Sequence, residues 1–377
     1  MHFTPEQEQF AATVRAFCDR HCRTVAQRDA LTGGGTEGSS LELLREMGEL
    51  GWLALSLPEE YGGGGAGFVD EVLFLETAFR GLAPITAYGN SLTAAQTYLK
   101  WGSEEQKKAI VGNLAAGKVE SIALSEPGAG SDLGGVRTRS TVEDGEYVIN
   151  GQKTWTSAAH VAEHILVLTR EDSSGTKHQG LTLLMVPAGT PGLEIRGIET
   201  MEPRTVNDLF FTDVHVPASA VVGLPRNGWK QLMRGLGVER LIIAAMSLGA
   251  AQRSLDDVVA YVGQREQFGR PLSTFQALRH RIADLATDIE FARAFLYDAA
   301  QRVDAGQEDL LARDSAMAKL RCTEIAKHTA LEAMQMMGGY GYAREYGMEG
   351  QVRRALAPPI YGGTNEIQRE IIAGTIL

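Results

Sequence analysis

Residues 143–151 read EDGEYVING, and this stretch decides the fold class because polar and apolar residues alternate in it between two turn signals. Alternation with period two is typical of a half-buried strand, and Asp-Gly and Asn-Gly pairs favour tight turns. HILVLT (164–169) and LTLLMVP (181–187) repeat the pattern. No long amphipathic helix interrupts these runs, so we predict a compact all-β domain over residues 119–226.

The residues before this β region predict helices. Thr4-Pro5-Glu6-Gln7 combines an N-cap, a proline at the first helical position and a capping-box partner, and Phe10, Val14 and Phe17 follow at helical spacing. Ser39 with Glu42, and Ser103 with Gln106, repeat the capping signal. We therefore predict a helical N-terminal domain over residues 1–118.

Helical periodicity returns after the β region. Long segments run over roughly 229–262, 274–304 and 309–337, and a closing helix follows Thr364. Long helices joined by short loops predict a helical bundle over residues 227–377. The predicted class is thus α+β and mainly α, with two helical domains around a β domain.

Composition excludes several classes of protein. The 377 residues include 36 Lys and Arg against 47 Asp and Glu, a net charge of −11, which argues against nucleic acid as the main partner. No apolar run has the length of a membrane span, and the start MHFTPEQEQF lacks the features of a signal peptide. Three cysteines cannot form a disulfide framework, so we expect a cytoplasmic protein that is not exported.

Two local patterns suggest sites that their surroundings do not support. Cys18, His21 and Cys22 fall within one helical turn, but no second ligand cluster accompanies them, so structural cysteines are favoured and no metal site is predicted. Gly62, Gly64 and Gly67 match G-x-G-x-x-G. That motif indicates dinucleotide binding only between a buried strand and a helix, and here SLPEEY precedes it.

Two motifs of the β region have the chemistry of a ligand site. ALSEPGAGSD (123–132) offers backbone N–H groups and two hydroxyls around a Pro-Gly-Ala-Gly turn. NGQKTWTS (150–157) brackets Trp155 with hydroxyls, as expected for an aromatic residue that packs on a flat ring. A structural turn and a core tryptophan are the alternative interpretations.

Three further motifs follow in the C-terminal region. REQFGRPLSTFQ (265–276) places an arginine, an aromatic residue and an amide around a break between helices, a combination that can clamp a pyrophosphate. QMMGGYGY (335–342) ends a helix in paired glycines, and PPIYGGTNEIQRE (358–370) passes through two glycines to a Thr364 N-cap. Each taken alone is also an ordinary helix end.

The order and spacing of these five motifs resemble the acyl-CoA dehydrogenase family over nearly the whole chain. The resemblance implies an N-terminal helical domain, a central β-barrel and a C-terminal four-helix bundle. It also implies FAD as cofactor, a homotetramer or homodimer, an acyl-CoA substrate, an electron-transfer flavoprotein as electron acceptor, and a role in fatty acid metabolism.

The resemblance also implies which residues hold FAD. Those expected at the flavin ring and ribityl chain are Ile122, Leu124, Ser125, Gly130, Ser131, Trp155, Thr156 and Ser157. Those expected to reach the adenosine and pyrophosphate of a neighbouring subunit's FAD are Arg265, Gln267, Phe268, Phe275, Gln276, Gln335, Gly338 and Gly339. Thr364 and Glu366 are expected to bind the same cofactor at the start of the last helix.

The chemistry implied is loss of a proton from the α-carbon of an acyl thioester and of a hydride from its β-carbon. Such a proton leaves only with a carboxylate base and hydrogen bonds to the carbonyl oxygen. Most relatives carry this base where Gly362 stands, whereas a subset that includes isovaleryl-CoA dehydrogenase carries it in an E-R pair, here Glu239-Arg240. We therefore predict Glu239 as the base, with substrate contacts from Ser131, Arg240, Tyr361, Gly362 and Gly363.

Departures from the family pattern keep other functions open. Gly237 and Arg354 stand where an Asp is common, and the link from MEPR to LFFTDVHVP is short. One alternative is a flavoenzyme of this fold that acts on a carrier-protein thioester or with oxygen, as nitroalkane oxidases and monooxygenases do. Another is a non-catalytic partner subunit, against which Glu239 argues.

Overall fold

The computed structural model describes residues 3–307 and 311–377, except for the side chains of residues 234–236. The helices are α1 (Pro5–His21), α2 (Val25–Leu31), α3 (Leu41–Glu49), α4 (Phe68–Arg80), α5 (Thr86–Trp101), α6 (Glu104–Ala115), α7 (Gly228–Gln264), α8 (Gln276–Asp304), α9 (Leu311–Met337), α10 (Gly339–Tyr342), α11 (Met348–Leu356) and α12 (Asn365–Ala373). The strands are β1 (Val119–Ala123), β2 (Arg139–Glu143), β3 (Glu146–Ser157), β4 (Ala162–Arg170), β5 (Leu181–Pro187), β6 (Leu193–Gly197), β7 (Val206–Pro217), β8 (Glu266–Gln267) and β9 (Arg270–Pro271).

The chain forms two compact units. We call the first the helical unit; it comprises Met1–Ala30, Gly67–Pro84 and Glu239–Leu377. The second, which we call the sheet unit, comprises Leu31–Ala66 and Ile85–Val238. The predicted class, mainly helical with a central sheet and C-terminal helices, is confirmed.

Two of the three capping signals predicted in the N-terminal region are confirmed. The Thr4 hydroxyl accepts from Gln7 N at 3.2 Å while Gln7 Oε1 accepts from Thr4 N at 3.1 Å, and Ser103 with Gln106 forms the same box at α6. The third prediction, Ser39 with Glu42, is wrong. Ser40 caps α3 instead, because the Ser39 hydroxyl accepts from Ala87 N at 2.9 Å.

The seven strands β1 to β7 form one sheet with β3 near its middle. β3 pairs with β2 on one side and β7 on the other, and β4 pairs with β1 in parallel and with β5 antiparallel. Asp144 and Gly145, both at positive φ, form the predicted turn between β2 and β3. The predicted turn at Asn150-Gly151 is wrong: both residues lie inside β3, where the pairing with β7 shifts register. The buried core of this sheet includes Ile149, Ile165, Val167, Leu184, Leu209 and Val214.

The C-terminal helices lie close to their predicted ranges. α7, α8 and α9 are 37, 29 and 27 residues long, and residues 309 and 310, where the third predicted segment begins, lie outside the described residues. α11 was not predicted; Gly347, at φ +73°, precedes it. Gly62 to Gly67 connect a single 3₁₀ turn to α4, without the strand that a dinucleotide fingerprint requires.

Two negative findings hold for the described residues. Within residues 3–307 and 311–377, no helix is long and apolar enough to cross a membrane. In the same part of the chain no three His, Cys, Asp or Glu side chains are placed to hold a metal ion. Cys18, Cys22 and Cys322 are buried, and none of them forms a disulfide.

Candidate active site

The sheet unit holds the loop that follows β1 against the end of β3. Ser125 O accepts from Thr154 N at 2.9 Å. Ser125 therefore lies beside β3 at the residue that precedes Trp155. Ile122, Leu124 and Ser125 are half-buried, whereas Gly130 and Ser131 are exposed. The structure therefore brings the first part of this loop together with Trp155, and leaves Gly130 and Ser131 at its outer end.

A buried ion pair fastens the loop to the strand. The Glu126 carboxylate accepts from Lys153 Nζ at 2.8 Å and from the N–H groups of Arg137 and Thr138 at 2.6 and 2.9 Å; Lys153 also donates to Leu124 O at 2.9 Å. Burial lowers the pKa of Lys153 to about 8, although Glu126 acts in the opposite direction. Burial also opposes ionisation of Glu126, but Lys153 and the hydrogen bonds hold the pKa of that carboxyl below its usual value.

Residues 155–157 have the features of a ligand contact. Trp155 is 59% exposed at φ +58°, an uncommon conformation for a bulky residue. The adjacent Thr156 is buried, and its hydroxyl has no hydrogen-bond partner in the described part of the chain. Asn207 Nδ2 donates to Thr156 O at 3.0 Å and fixes that peptide. An exposed ring beside an unpaired buried hydroxyl fits a flat heterocycle with a hydrogen-bonding edge, as a flavin has.

The helical unit brings Glu239 and Gly362 together. Glu239 lies on α7, and a side-chain carbon placed on Gly362 would lie 3.7 Å from its Oε1. Burial raises the pKa of the Glu239 carboxyl, while the Arg240 and Lys319 charges lower it. Burial also lowers the pKa of Arg240, whose Nε has no partner among the described residues. A carboxyl group in such surroundings suits a general base.

The turn before α12 presents free backbone donors beside that carboxylate. Gly362 and Gly363 have φ of +62° and +75°, and consecutive residues of this kind can turn their N–H groups towards one ligand. Within the described residues, the N–H groups of Gly362, Gly363 and Thr364 donate to no protein acceptor. The Thr364 hydroxyl caps α12 by accepting from Ile367 N at 3.3 Å, and Tyr361 and Glu366 are exposed.

The remaining predicted residues form a separate surface of the helical unit. The Arg265 guanidinium carbon lies 5.3 Å from the Tyr340 ring centroid, so the structure brings the residue before β8 together with α10, which follows the end of α9. Phe268 is 93% exposed at φ +54°, and its ring centroid lies 6.1 Å from that of Phe275. The residues Gln267, Gln276, Gln335, Gly338 and Gly339 are exposed on the same unit.

Sequence reasoning missed several buried polar residues at these sites. Glu126 and Lys153 stand inside two recognised motifs, so the charge within each motif was an available signal. Gln368 lies inside the recognised motif PPIYGGTNEIQRE but was given no role, whereas Lys319 lies in ordinary helical sequence that gave no signal. Asn207 lies in the short link before LFFTDVHVP. The length of that link was a signal, but it indicated no role for Asn207.

Comparison with known proteins identifies all three regions of the chain. Residues 4–118, 121–214 and 226–377 match the sequence models of the N-terminal, middle and C-terminal domains of acyl-CoA dehydrogenases. The chain is 36% identical to the Bacillus subtilis protein named "Probable acyl-CoA dehydrogenase YngJ", covering 99% of this chain and 98% of that protein. It is 37% identical to the human mitochondrial short-chain specific acyl-CoA dehydrogenase, covering 89% of this chain and 82% of that enzyme.

A solved structure agrees with these sequence matches. The butyryl-CoA dehydrogenase of Megasphaera elsdenii superposes with a TM-score of 0.91 at 31% identity, covering 100% of this chain and 99% of that one.

Proposed function

Because the chain belongs to the acyl-CoA dehydrogenase family of FAD-dependent oxidoreductases, we propose that it converts an acyl-CoA thioester to the trans-2-enoyl-CoA. Glu239 removes the α-proton in this proposal. The observation that carries it is the half-buried Glu239 carboxylate, with its raised pKa, beside the free N–H groups of the 362–364 turn. A base and an oxyanion site side by side are what α-proton abstraction requires.

The turn has the complementary task of binding the thioester oxygen. Negative charge develops on that oxygen as the α-proton leaves, and the N–H of Gly362 is the donor that we assign to it. A preorganised N–H donor of this kind contributes roughly 10²–10³-fold to the rate of an acyl-group reaction. Ser131, Arg240, Tyr361 and Gly363 complete the substrate contacts that we propose.

The cofactor of this family is FAD, which when bound would supply the acceptor for a hydride from the substrate β-carbon. We assign its ring and ribityl chain to the segments 122–131 and 155–157, because the unpaired Thr156 hydroxyl and the exposed Trp155 ring fit such a ligand. Arg265 to Phe268, Phe275, Gln276 and Gln335 to Gly339 are proposed to bind the adenosine half of a partner's FAD, and Thr364 with Glu366 the same cofactor. The exposure of Gln267, Phe268, Gln276, Gln335, Gly338 and Gly339 in the single chain supports a surface that a second copy covers.

Five broader properties belong to the same proposal. We propose three domains, 1–118, 119–226 and 227–377, and a homotetramer or homodimer. We propose that electrons pass to an electron-transfer flavoprotein, as part of fatty acid metabolism. Three buried cysteines that form no disulfide support a reducing compartment such as the cytoplasm.

The test is an anaerobic titration of the FAD-loaded protein with butyryl-, isovaleryl-, octanoyl- and palmitoyl-CoA, followed by the absorbance of oxidised flavin. Bleaching by one or more of these thioesters, with the enoyl-CoA as product, is the expected result. Reoxidation by an electron-transfer flavoprotein and by oxygen is then compared to identify the acceptor. Bleaching only by a carrier-protein thioester would favour the alternative flavoenzyme, and a stable protein that takes up no FAD would favour a non-catalytic subunit.

A further inference from the structure

Lys319 is a fully buried lysine that hydrogen-bonds the turn beside Glu239. It lies on α9, and its Nζ donates to Gly363 O at 2.8 Å and to Asn365 Oδ1 at 3.0 Å. The Thr323 hydroxyl, one turn further along α9, donates to the same Asn365 oxygen at 3.1 Å. Two side chains of α9 therefore hold the start of α12.

A second group holds the same turn from α12. Gln368 Nε2 donates to Gly362 O at 3.1 Å and to Gly363 O at 2.8 Å. In a trans peptide the carbonyl and the following N–H point in opposite directions. With the Gly362 and Gly363 carbonyls held by Gln368 and Lys319, the N–H groups of Gly363 and Thr364 point away from these side chains.

Burying an ammonium group is costly unless a carboxylate pairs with it. In the described part of the chain no carboxylate forms an ion pair with Lys319, and its hydrogen bonds go to neutral oxygens. Burial lowers the pKa of Lys319 to about 8; Glu239 and Glu366 favour its charge and Arg240 opposes it. A neutral side chain could fill the same space at a lower free-energy cost of burial. The buried charge is therefore evidence that Lys319 has a function.

We propose that Lys319 is a positioning residue for the reaction, which fixes the 362–364 turn for the thioester and places a positive charge behind its N–H groups. The proposal rests on the proposed function, because the charge acts on an oxygen that becomes negative as Glu239 takes the α-proton. The same charge favours the ionised form of Glu239, which is the form that acts as base.

Three substitutions separate the charge from the packing. Lys319→Met removes the charge and the hydrogen bonds, and Lys319→Gln keeps an N–H donor without charge. Lys327→Met is the matched control, because Lys327 is an exposed lysine on the same helix. All are compared at equal FAD content with the acyl-CoA that bleaches the wild type fastest.

We expect Lys319→Met to slow flavin reduction about 10- to 100-fold, somewhat less than the loss of a direct oxyanion donor. Lys319→Gln should be intermediate, and Lys327→Met unchanged. The low-pH side of the pH–rate profile for flavin reduction should move to higher pH in both Lys319 variants, because the Lys319 charge lowers the pKa of Glu239. The charged groups that face Lys319 are Glu239 and Arg240 on α7 and Glu366 on α12, and only Glu239 is proposed to titrate in catalysis.

A vibrational readout is independent of turnover. The carbonyl stretch of a bound trans-2-enoyl-CoA should shift towards its value in free solution when Lys319 loses its charge, because the carbonyl is then less polarised. The proposal is overturned if Lys319→Met matches the wild type in reduction rate, in the low-pH side of its pH–rate profile and in carbonyl frequency. That result would leave Glu239 as the base. If Lys319→Met does not fold, Lys319→Gln decides on the same criteria. A wild type that no acyl-CoA reduces rejects the proposed function first.

Discussion

The Oε1 atom of Glu239 lies 3.7 Å from the place where Gly362 would carry a side-chain carbon. The two residues are more than a hundred positions apart, on α7 and in the turn before α12. A carboxylate is therefore present at the turn even though the turn itself carries none. We infer that α7 supplies the acid that most members of the family carry in the turn.

Replacing Glu239 by Gln should abolish flavin reduction while FAD remains bound. Gln keeps the shape of the side chain but cannot accept the α-proton, and a general base contributes about 10²–10⁴-fold. The measurement is the anaerobic stopped-flow rate of flavin bleaching by an acyl-CoA. Glu370→Gln, an exposed position on α12, is the control and should match the wild type. Bleaching of the Glu239→Gln protein at the wild-type rate would remove Glu239 from the mechanism.

The raised pKa of Glu239 should be visible in the pH dependence of both rate and stability. Its ordinary value is 4.5, so the acid limb of the reduction rate should lie above that pH. Between 4.5 and the raised pKa, the folded protein holds a proton that the unfolded chain does not. The free energy of unfolding of the wild type, relative to Glu239→Gln, should thus be highest below 4.5 and fall as pH rises through the folded pKa. Urea unfolding from about pH 4 to about pH 8 tests this sign.

Moving the carboxylate to position 362 should restore activity only if space is made for it. Gly362 has φ +62°, which costs a residue with a side chain about 1–3 kcal/mol, and the added carbon would collide with Ile243 Cδ1. Ile243→Val deletes that atom at a cost of roughly 0.5–1.5 kcal/mol. We expect Glu239→Gln/Gly362→Glu to stay nearly inactive and the triple variant with Ile243→Val to reduce flavin at least about tenfold faster. With Gly362→Ala in place of Gly362→Glu, the triple variant should show no gain.

Much of the fold followed from local signals, and the exceptions have long-range causes. The capping boxes at Thr4 and Ser103 depend on neighbours three residues apart, so the sequence shows both partners. At Ser39 a long-range bond to Ala87 N took the hydroxyl away, and at Asn150-Gly151 pairing with β7 kept the chain extended. Sequence cannot reveal such competition, because the deciding partner is dozens of residues away.

The candidate site divides in the same way. The position of Glu239 was inferred from a family resemblance, and its proximity to Gly362 is a structural finding. Lys319 could not be predicted, since it sits in an unremarkable helix and acquires its role through the turn that folds onto it. Gln368 stands inside a recognised motif, but its hydrogen bonds to the turn are a structural finding. Motifs therefore predict the ligand contacts, while the hydrogen bonds that hold those motifs in place are seen only in three dimensions.

The Glu126–Lys153 pair should prove necessary for retention of FAD. Lys153→Met leaves a buried carboxylate unpaired, and breaking such a pair costs about 3–5 kcal/mol. Glu126→Gln/Lys153→Met should recover part of that loss. Urea unfolding of the wild type, the two single variants and the double variant gives the coupling energy of the pair. FAD content after gel filtration should follow the same order. Lys177→Met, which breaks the exposed pair with Asp132, is the control and should cost at most about 1 kcal/mol.

Thr156→Val should have opposite effects on the apoprotein and on cofactor binding. The Thr156 hydroxyl is buried without a partner in the described part of the chain, and an unsatisfied buried polar group costs about 1–3 kcal/mol. Valine has nearly the same shape and no hydroxyl, so the apoprotein should unfold at equal or higher urea concentration. If the hydroxyl serves FAD, the dissociation constant for FAD should rise by about tenfold, the equivalent of one hydrogen bond. Ser140→Ala is a suitable comparison, because the Ser140 hydroxyl already bonds Thr169 at 2.8 Å and its loss should destabilise the apoprotein without this gain. An unstable Thr156→Val apoprotein that binds FAD as tightly as the wild type would show that the hydroxyl has a structural partner, and would move the flavin edge away from residue 156.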